Sequence, residues 1–324
     1  MVPAPGLAVP TLDDVVAARD LIADAVRPSP LVRLENAHPS ADVYLKLECL
    51  QPIGSFKLRG ALNALRQADG GDLMEGVVTA SAGNMAQGVC WAARRSGVRA
   101  TVVMPDSAPP TKVRAVERLG GRIVSVPYDR WWRVLQDRVL AGLPGKFIHP
   151  VADQAVIEGN ATIGLEIAES LDRVDTVLVP FGGGGLISGI ASALVALRPA
   201  TRVLGCEVET AAPLTASLQA GRALTVDYRP SFVDGISARE VLPAMWPLLE
   251  QLVDGSRVVS LAAVAAAIRL LLERQSVLAE GAGAAPVAAA LEEPSLDGVV
   301  VCVISGGNLD PAALVPILKG EFDA

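Results

Sequence analysis

From Gly76 onward, short β-type runs alternate with stretches of helical period. "GVVTA", "ATVVM" and "RIVSV" are followed in turn by "NMAQGVCWAARRSG", "PPTKVRAVERLG" and "DRWWRVLQDRVLAG". Strands separated by helices are joined by crossovers, and crossovers give a parallel sheet with helices packed on it. The alternation resumes from about Asn160, through "TVLVPF", "LISGIASALVAL" and "RVLGCEVE" to "GVVVCVIS" near the C-terminus. The chain therefore reads as two α/β lobes, with Ala141 to Asp153 as the crossover between them. Its 324 residues are too many for one small core.

Ligands on open parallel sheets bind beyond the carboxyl ends of the strands. Three loops of small residues stand at such ends: "SAGN" (Ser81 to Asn84), "GGGG" (Gly182 to Gly185) and "SGGN" (Ser305 to Asn308). Four glycines between a buried strand and a helix starting near Leu186 let backbone N–H groups reach an anion, and the helix N-terminus adds its dipole. The alternative is a close-packed turn. A phosphate is the natural ligand for the tetraglycine loop. A dinucleotide is the obvious rival, and Glu207 ends the next strand where a ribose-binding acid belongs. The spacing excludes it: GxGxxG requires glycine at Ile187 or Ser188, and GxxxxGK[ST] fails because Ile190 follows Gly189.

"GSFKLRGALNAL" (Gly54 to Leu65) places Lys57 and Arg59 in the first turn of an expected helix, where cations are disfavoured. A free lysine has a pKa of about 10.4, so about one in a thousand or fewer is neutral at pH 7. The positive end of a helix lowers that value and favours the neutral, nucleophilic amine that captures an aldehyde. Gly60, Ala61 and Ala64 keep the strip beside Lys57 small, leaving room for a flat ring. Arg59 receives no role. A phosphate compound that also needs a lysine amine points to pyridoxal phosphate.

The net charge of −7 and the lack of any Lys/Arg cluster exclude nucleic acid as partner. Cys49, Cys90, Cys206 and Cys302 are widely spaced in apolar stretches and read as reduced core residues of a cytoplasmic protein. The N-terminal "MVPAPGLAVPTLDD" carries no basic and apolar export pattern. Thr176 to Leu197 has no charge and spanning length, but Pro180 and the glycines make it strand, loop and helix, so no membrane segment is expected. The two histidines, His38 and His149, are far apart and read as surface or packing residues.

With Lys57 and the three loops together, the sequence resembles the fold-type II pyridoxal-phosphate enzymes of the serine/threonine dehydratase (threonine ammonia-lyase) and serine racemase group. The matching stretches are "KLECLQPIGSFKLRGALNAL", "SAGNMAQG", "GGGGL" and "SGGN", in the family's order and over nearly the whole chain. The resemblance implies an α/β, two-lobed, tryptophan synthase β-like fold, each lobe an open, mainly parallel sheet flanked by helices. It places a small domain at 76–147 within a large cofactor-binding domain formed by 1–75 and 148–324. Pyridoxal 5'-phosphate would be covalent on Lys57 with Phe56 beside the ring. Asn84 would bond the ring hydroxyl, Gly182, Gly183, Gly184, Gly185 and Leu186 would cradle the phosphate, and Gly235 would line the other face of the ring. Ser305 would meet the pyridine nitrogen; being a hydroxyl, it does not hold that nitrogen protonated. Ser81 and the N–H groups of Ala82, Gly83, Asn84 and Met85 would hold the substrate carboxylate.

The implied reaction is β-elimination from L-threonine or L-serine to 2-oxobutanoate or pyruvate plus ammonia, with Lys57 and Ser81 as catalytic residues. Alternatives on the same fold are dehydration of another β-hydroxy amino acid, racemisation or β-replacement; a non-catalytic binding protein would not need the lysine. Family members that racemise serine carry a second serine where this chain has Ala82, which counts against racemisation. Met85 stands where many members have histidine, and Trp131 and Trp132 fall where the small lobe faces substrate or packs within itself. A monovalent or divalent cation is possible in the family, but the Asp that would accompany Glu207 is Pro213 here, so no metal ligand is assigned. Only a short tail follows Asn308, so no C-terminal regulatory domain is expected. The resemblance also implies a homodimer.

Overall fold

The computed structural model describes residues 6–322; the outermost ends of the expected large domain, and the first five residues of the stretch read for an export signal, lie outside it. The strands are β1 (Leu31–Arg33), β2 (Ala41–Leu47), β3 (Val77–Ala80), β4 (Ala100–Pro105), β5 (Arg122–Val126), β6 (Lys146–Phe147), β7 (Thr176–Pro180), β8 (Arg202–Val208), β9 (Gly255–Val259) and β10 (Gly298–Ile304). They form a six-stranded sheet ordered β1-β2-β10-β7-β8-β9 and a four-stranded sheet ordered β5-β4-β3-β6. Among the described strands only the β1–β2 pairing is antiparallel. The stretch expected as a plain crossover is more than that: Lys146 and Phe147 pair with Val77 and Val78 as the edge of the smaller sheet.

Strand β7 is buried along its whole length, which is why it reads as an unbroken apolar run. Alternation sorts the side chains of the large sheet to its two faces. Val300, Cys302 and Ile304 join Leu178 in a core with the helices Leu261–Gln275 and Gly281–Glu292. Val301 and Val303 join Val177 and Val179 in a second core with Gln154–Ser170 and Gly185–Leu197. The uncharged stretch from Thr176 is thus strand, loop and helix, and no helix among the described residues is long and apolar enough to cross a membrane.

The helix that begins at Lys57 (Lys57–Gln67) packs on Gln154–Ser170, which in turn packs on Gly185–Leu197. Glycines bring these backbones together. A Cβ on Gly159 would lie 2.6 Å from the Arg59 carbonyl oxygen, and one on Gly189 would lie 2.6 Å from that of Ile157. The small residues after Lys57 belong to this packing and not to a ring site. Gly60 faces Val156, whose carbonyl oxygen would be 2.7 Å from an added Cβ, and Ala61 faces Gly88 of the helix Asn84–Arg95.

Arg59 is 1% exposed and sits in a buried charge cluster. Its guanidinium bonds Glu48 (Nε to Oε2, 2.8 Å) and Glu166 (Nη1 to Oε1, 2.6 Å), and Lys46 Nζ reaches Glu166 Oε2 at 2.5 Å. Burial pushes the Glu48 carboxyl up, but the Arg59 guanidinium together with the Ser29 hydroxyl and the Lys46 charge outweighs it and holds the group below the usual carboxylate range. The cluster ties the Lys57 helix to the end of β2 and to Gln154–Ser170. All four cysteines are free; Cys90, Cys206 and Cys302 are core residues as expected, whereas Cys49 is only half-buried, on the short turn after β2.

Candidate active site

The loop before Lys57 and the loop after β10 are paired. Ser55 bridges Gly306, Phe56 N–H donates to the Ser305 carbonyl at 3.0 Å, and Gly307 N–H donates to the Gly54 carbonyl at 2.9 Å. Gly54 has φ +71, and a Cβ there would lie 2.8 Å from Asn308 Oδ1. A side chain at that position would part the two loops. This pairing fixes Lys57, first residue of its helix, against the carboxyl end of β10.

Between the two sheets lies a cavity of about 420 Å³. It gathers every site residue expected from sequence: Phe56, Lys57, Ser81 to Met85, Gly182 to Leu186, Gly235 and Ser305. Three of its walls are the loops after β3, β7 and β10, so strand ends from two different sheets meet at one place.

Lys57 is half-buried, with Nζ 3.0 Å from the Pro150 carbonyl oxygen and 5.0 Å from the Phe56 ring centre. Burial lowers its pKa to about 8, against the opposing charge of Glu280. Removal from water, more than the helix end, thus accounts for the shift. Glu280 is 6% exposed, and burial raises its carboxyl to about 7 in spite of the bond it accepts from Asn84. Asn84 donates from Nδ2 to Glu280 Oε1 (2.8 Å) and accepts at Oδ1 from Asn308 Nδ2 (2.9 Å). Its amide is therefore held in one orientation at the cavity wall. His149 is the packing residue expected: Nδ1 accepts from Val151 N–H and Ala152 N–H, and burial, followed by the Arg138 and Lys57 charges, lowers its pKa to about 3.

Gly184 has φ +96, which turns the chain from β7 into Gly185–Leu197. Among the described residues none accepts a bond from the backbone N–H groups of Gly182 to Ile187. These donors converge at a helix N-terminus on the cavity, the arrangement that an anion satisfies. The second loop is similar: Gly83 N–H reaches Ser81 Oγ at 3.2 Å, while Ala82, Asn84 and Met85 N–H meet no acceptor among the described residues. On the far side, a Cβ on Gly235 would lie 2.9 Å from that of Ala282, so this wall is flat because it has no side chain.

Residues 22–306 match the family model described as "Pyridoxal-phosphate dependent enzyme". The chain belongs to this family. An L-threonine ammonia-lyase of Thermotoga maritima is 40% identical over 93% of this chain and 76% of that protein. One from Geobacter sulfurreducens is 41% identical over 86% of this chain and 70% of that protein. Among solved structures, maize serine racemase superposes with a TM-score of 0.89 at 31% identity, covering 98% of this chain and 99% of that one. The architecture is accordingly the two-lobed fold-type II arrangement, and the family cofactor is pyridoxal phosphate. The described residues fit it: one cavity holds an amine that burial brings towards neutrality, a cradle of free N–H donors for a phosphate and a wall without side chains for a ring.

Glu280 lies outside the sequence-derived set. Its signal in the sequence is a lone acid closing "VLAE" ahead of the uncharged helix "GAGAAPVAAA", whose N-cap it is. Lys112 and Asp234 were also passed over; they line the cavity and pair at 2.5 Å, linking a helix of the smaller sheet to the loop that carries Gly235. Glu207 is occupied elsewhere: its carboxylate accepts from Leu214 N–H (2.7 Å), Thr215 N–H (2.8 Å) and Thr215 Oγ1 (2.7 Å), capping the helix Pro213–Ala220. Among the described residues there is no group of three or more His, Cys, Asp or Glu placed to hold a metal.

Proposed function

We propose that this chain is a cytoplasmic, homodimeric ammonia-lyase that converts L-threonine or L-serine to 2-oxobutanoate or pyruvate and ammonia. The observation that carries it is a lysine amine with pKa near 8 set between two loops of free backbone N–H donors, in a chain about 40% identical to L-threonine ammonia-lyases. Pyridoxal phosphate, when bound, supplies an aldehyde for amines and an electron-withdrawing ring.

In this reading the N–H groups of Gly182 to Leu186 would bind the phosphate, Asn84 would bond the ring hydroxyl and the Ser305 hydroxyl would meet the ring nitrogen. Lys57 would hold the cofactor through its amine and, with that amine free, would take the Cα proton as the β-hydroxyl departs. Ser81 and the N–H groups of Ala82 to Met85 hold the carboxylate. Ala82 offers no second proton-transfer group, which favours elimination over racemisation. Ser305 in place of an acid favours a route without a long-lived carbanion. The domain limits at 75/76 and 147/148 belong to the same proposal, supported by the confinement of the smaller sheet to Val77–Phe147.

The test is an assay of purified holoenzyme for 2-oxo acid, ammonia and inversion at Cα with L-threonine and L-serine. Stoichiometric 2-oxo acid and ammonia are expected. Inversion without elimination, or no reaction with either substrate, would overturn the proposal.

A further inference from the structure

A second chamber of about 310 Å³ opens off the cofactor cavity. Tyr128, Trp131, Leu135, Val151 and the backbone of Gly182 and Gly183 line both spaces, so the two are continuous. Trp132 and Leu242 close the chamber beyond them. The aromatic wall is ordered: Tyr128 and Trp131 have ring centres 5.5 Å apart, and Trp131 and Trp132 are 6.0 Å apart. At the outer rim the Arg239 guanidinium lies 5.0 Å from the Tyr228 ring centre and 5.4 Å from that of Tyr128. That cation stacks across two elements and joins the helix Tyr128–Asp137 to the loop carrying Gly235.

The side chain of L-threonine is one methyl and one hydroxyl, and that of L-serine is smaller still. Neither side chain carries a heavy atom more than one bond beyond Cβ. An apolar chamber continuous with a reaction site is filled most favourably by an apolar extension of the substrate itself. The imidazole on its wall, His149, is neutral, with Nδ1 taken up by backbone N–H groups, so it offers no charge to a polar side chain. Arg239 and Glu240 stand at the rim, and Asp234 is engaged by Lys112.

On the premise of β-elimination at Lys57, we infer that the preferred substrates are L-β-hydroxy amino acids carrying an aromatic or branched apolar group on Cβ. The hydroxyl remains at the reacting centre and the apolar group enters the chamber of Trp131 and Trp132. The overall reaction balances without a redox partner. The Cα–H and Cβ–O bonds break with loss of one water, the resulting enamine becomes an imine, and one water hydrolyses its C=N bond to the 2-oxo acid and ammonia. For 3-phenylserine the products are phenylpyruvate and ammonia.

The experiment compares kcat/KM of the holoenzyme for L-threo-3-phenylserine, L-threonine and L-serine, with L-phenylalanine and L-alanine as inhibitors that lack a leaving hydroxyl. A preference for phenylserine over serine of at least about tenfold is expected, with L-phenylalanine binding at least about tenfold tighter than L-alanine. Ala238 lines only the chamber, so Ala238→Trp fills it and is expected to lower the phenylserine-to-serine ratio about tenfold or more. Turnover of threonine or serine with phenylserine inert and L-phenylalanine no better than L-alanine would overturn this inference alone. A phenylserine preference unchanged by Ala238→Trp would overturn the assignment of the chamber. Absence of 2-oxo acid from all three substrates would overturn the elimination itself.

Discussion

Asn84 Nδ2 lies 2.8 Å from Glu280 Oε1, a bond that runs from the loop after β3 in one sheet to the helix packed on the other. It sets the orientation of the Asn84 amide, and it holds a carboxyl whose pKa burial has raised to about 7. A folded-state pKa raised above the ordinary value of about 4.5 means that the contribution of Glu280 to stability is full below about pH 4.5 and is lost as pH rises through about 7. Glu280→Gln removes the titration and keeps the acceptor. In urea unfolding of cofactor-free protein, the stability of the parent relative to this variant is expected to fall by about 2 to 3 kcal/mol between pH 4.5 and pH 8. Parallel curves would show that Glu280 is ionised throughout.

Lys57, lowered to about 8, is about one-tenth neutral at pH 7, against about one part in a few thousand for an ordinary lysine. Capture of pyridoxal phosphate by cofactor-free protein, followed in a rapid-mixing spectrophotometer, is expected to accelerate with pH through a midpoint near 8. The charge of Glu280 opposes the shift, so Glu280→Gln is expected to move that midpoint lower. A midpoint near 10 would place the amine in water.

Arg59 neutralises two buried carboxylates. Arg59→Ala leaves Glu48 and Glu166 with only Lys46 between them, and truncation of one partner in such a cluster costs about 3 to 5 kcal/mol. A matching drop in the urea-unfolding free energy is expected. An unchanged midpoint would mean that the cluster is solvated.

Gly159→Ala puts a methyl group 2.6 Å from the Arg59 carbonyl oxygen and forces the Lys57 helix outward. A loss of about 1 to 3 kcal/mol with weaker retention of cofactor is expected. Gly70→Ala, where an added Cβ meets nothing within 4 Å, is the control and is expected to leave cofactor retention unchanged. Equal behaviour of the two variants would show that the close approach is not needed.

The parallel sheets and the three strand-end loops were legible because each leaves a local mark: apolar runs for strands buried on both faces, and small residues where backbone must meet a ligand. β2 was not legible, since Lys46 near its end is buried only because Glu166, 120 residues away, neutralises it. The two-residue β6 is too short to carry a period. Arg59 had no visible role, and Gly60 looked like part of the ring site by adjacency to Lys57, but on the helix both face Gln154–Ser170. Glu280 was invisible for a related reason. Its partners Asn84 and Lys57 come from segments about two hundred residues away, and the sequence near it holds no other charged residue from Ser276 to Leu291.

The chemistry at Lys57 is tested most directly by loading the protein with pyridoxal phosphate, reducing it with borohydride and mapping the modified peptide by mass spectrometry. One stoichiometric adduct on Lys57 is expected, with loss of 2-oxo acid formation from L-threonine in step with its appearance. A reduced adduct on another lysine, or full turnover after Lys57 has been modified, would contradict it.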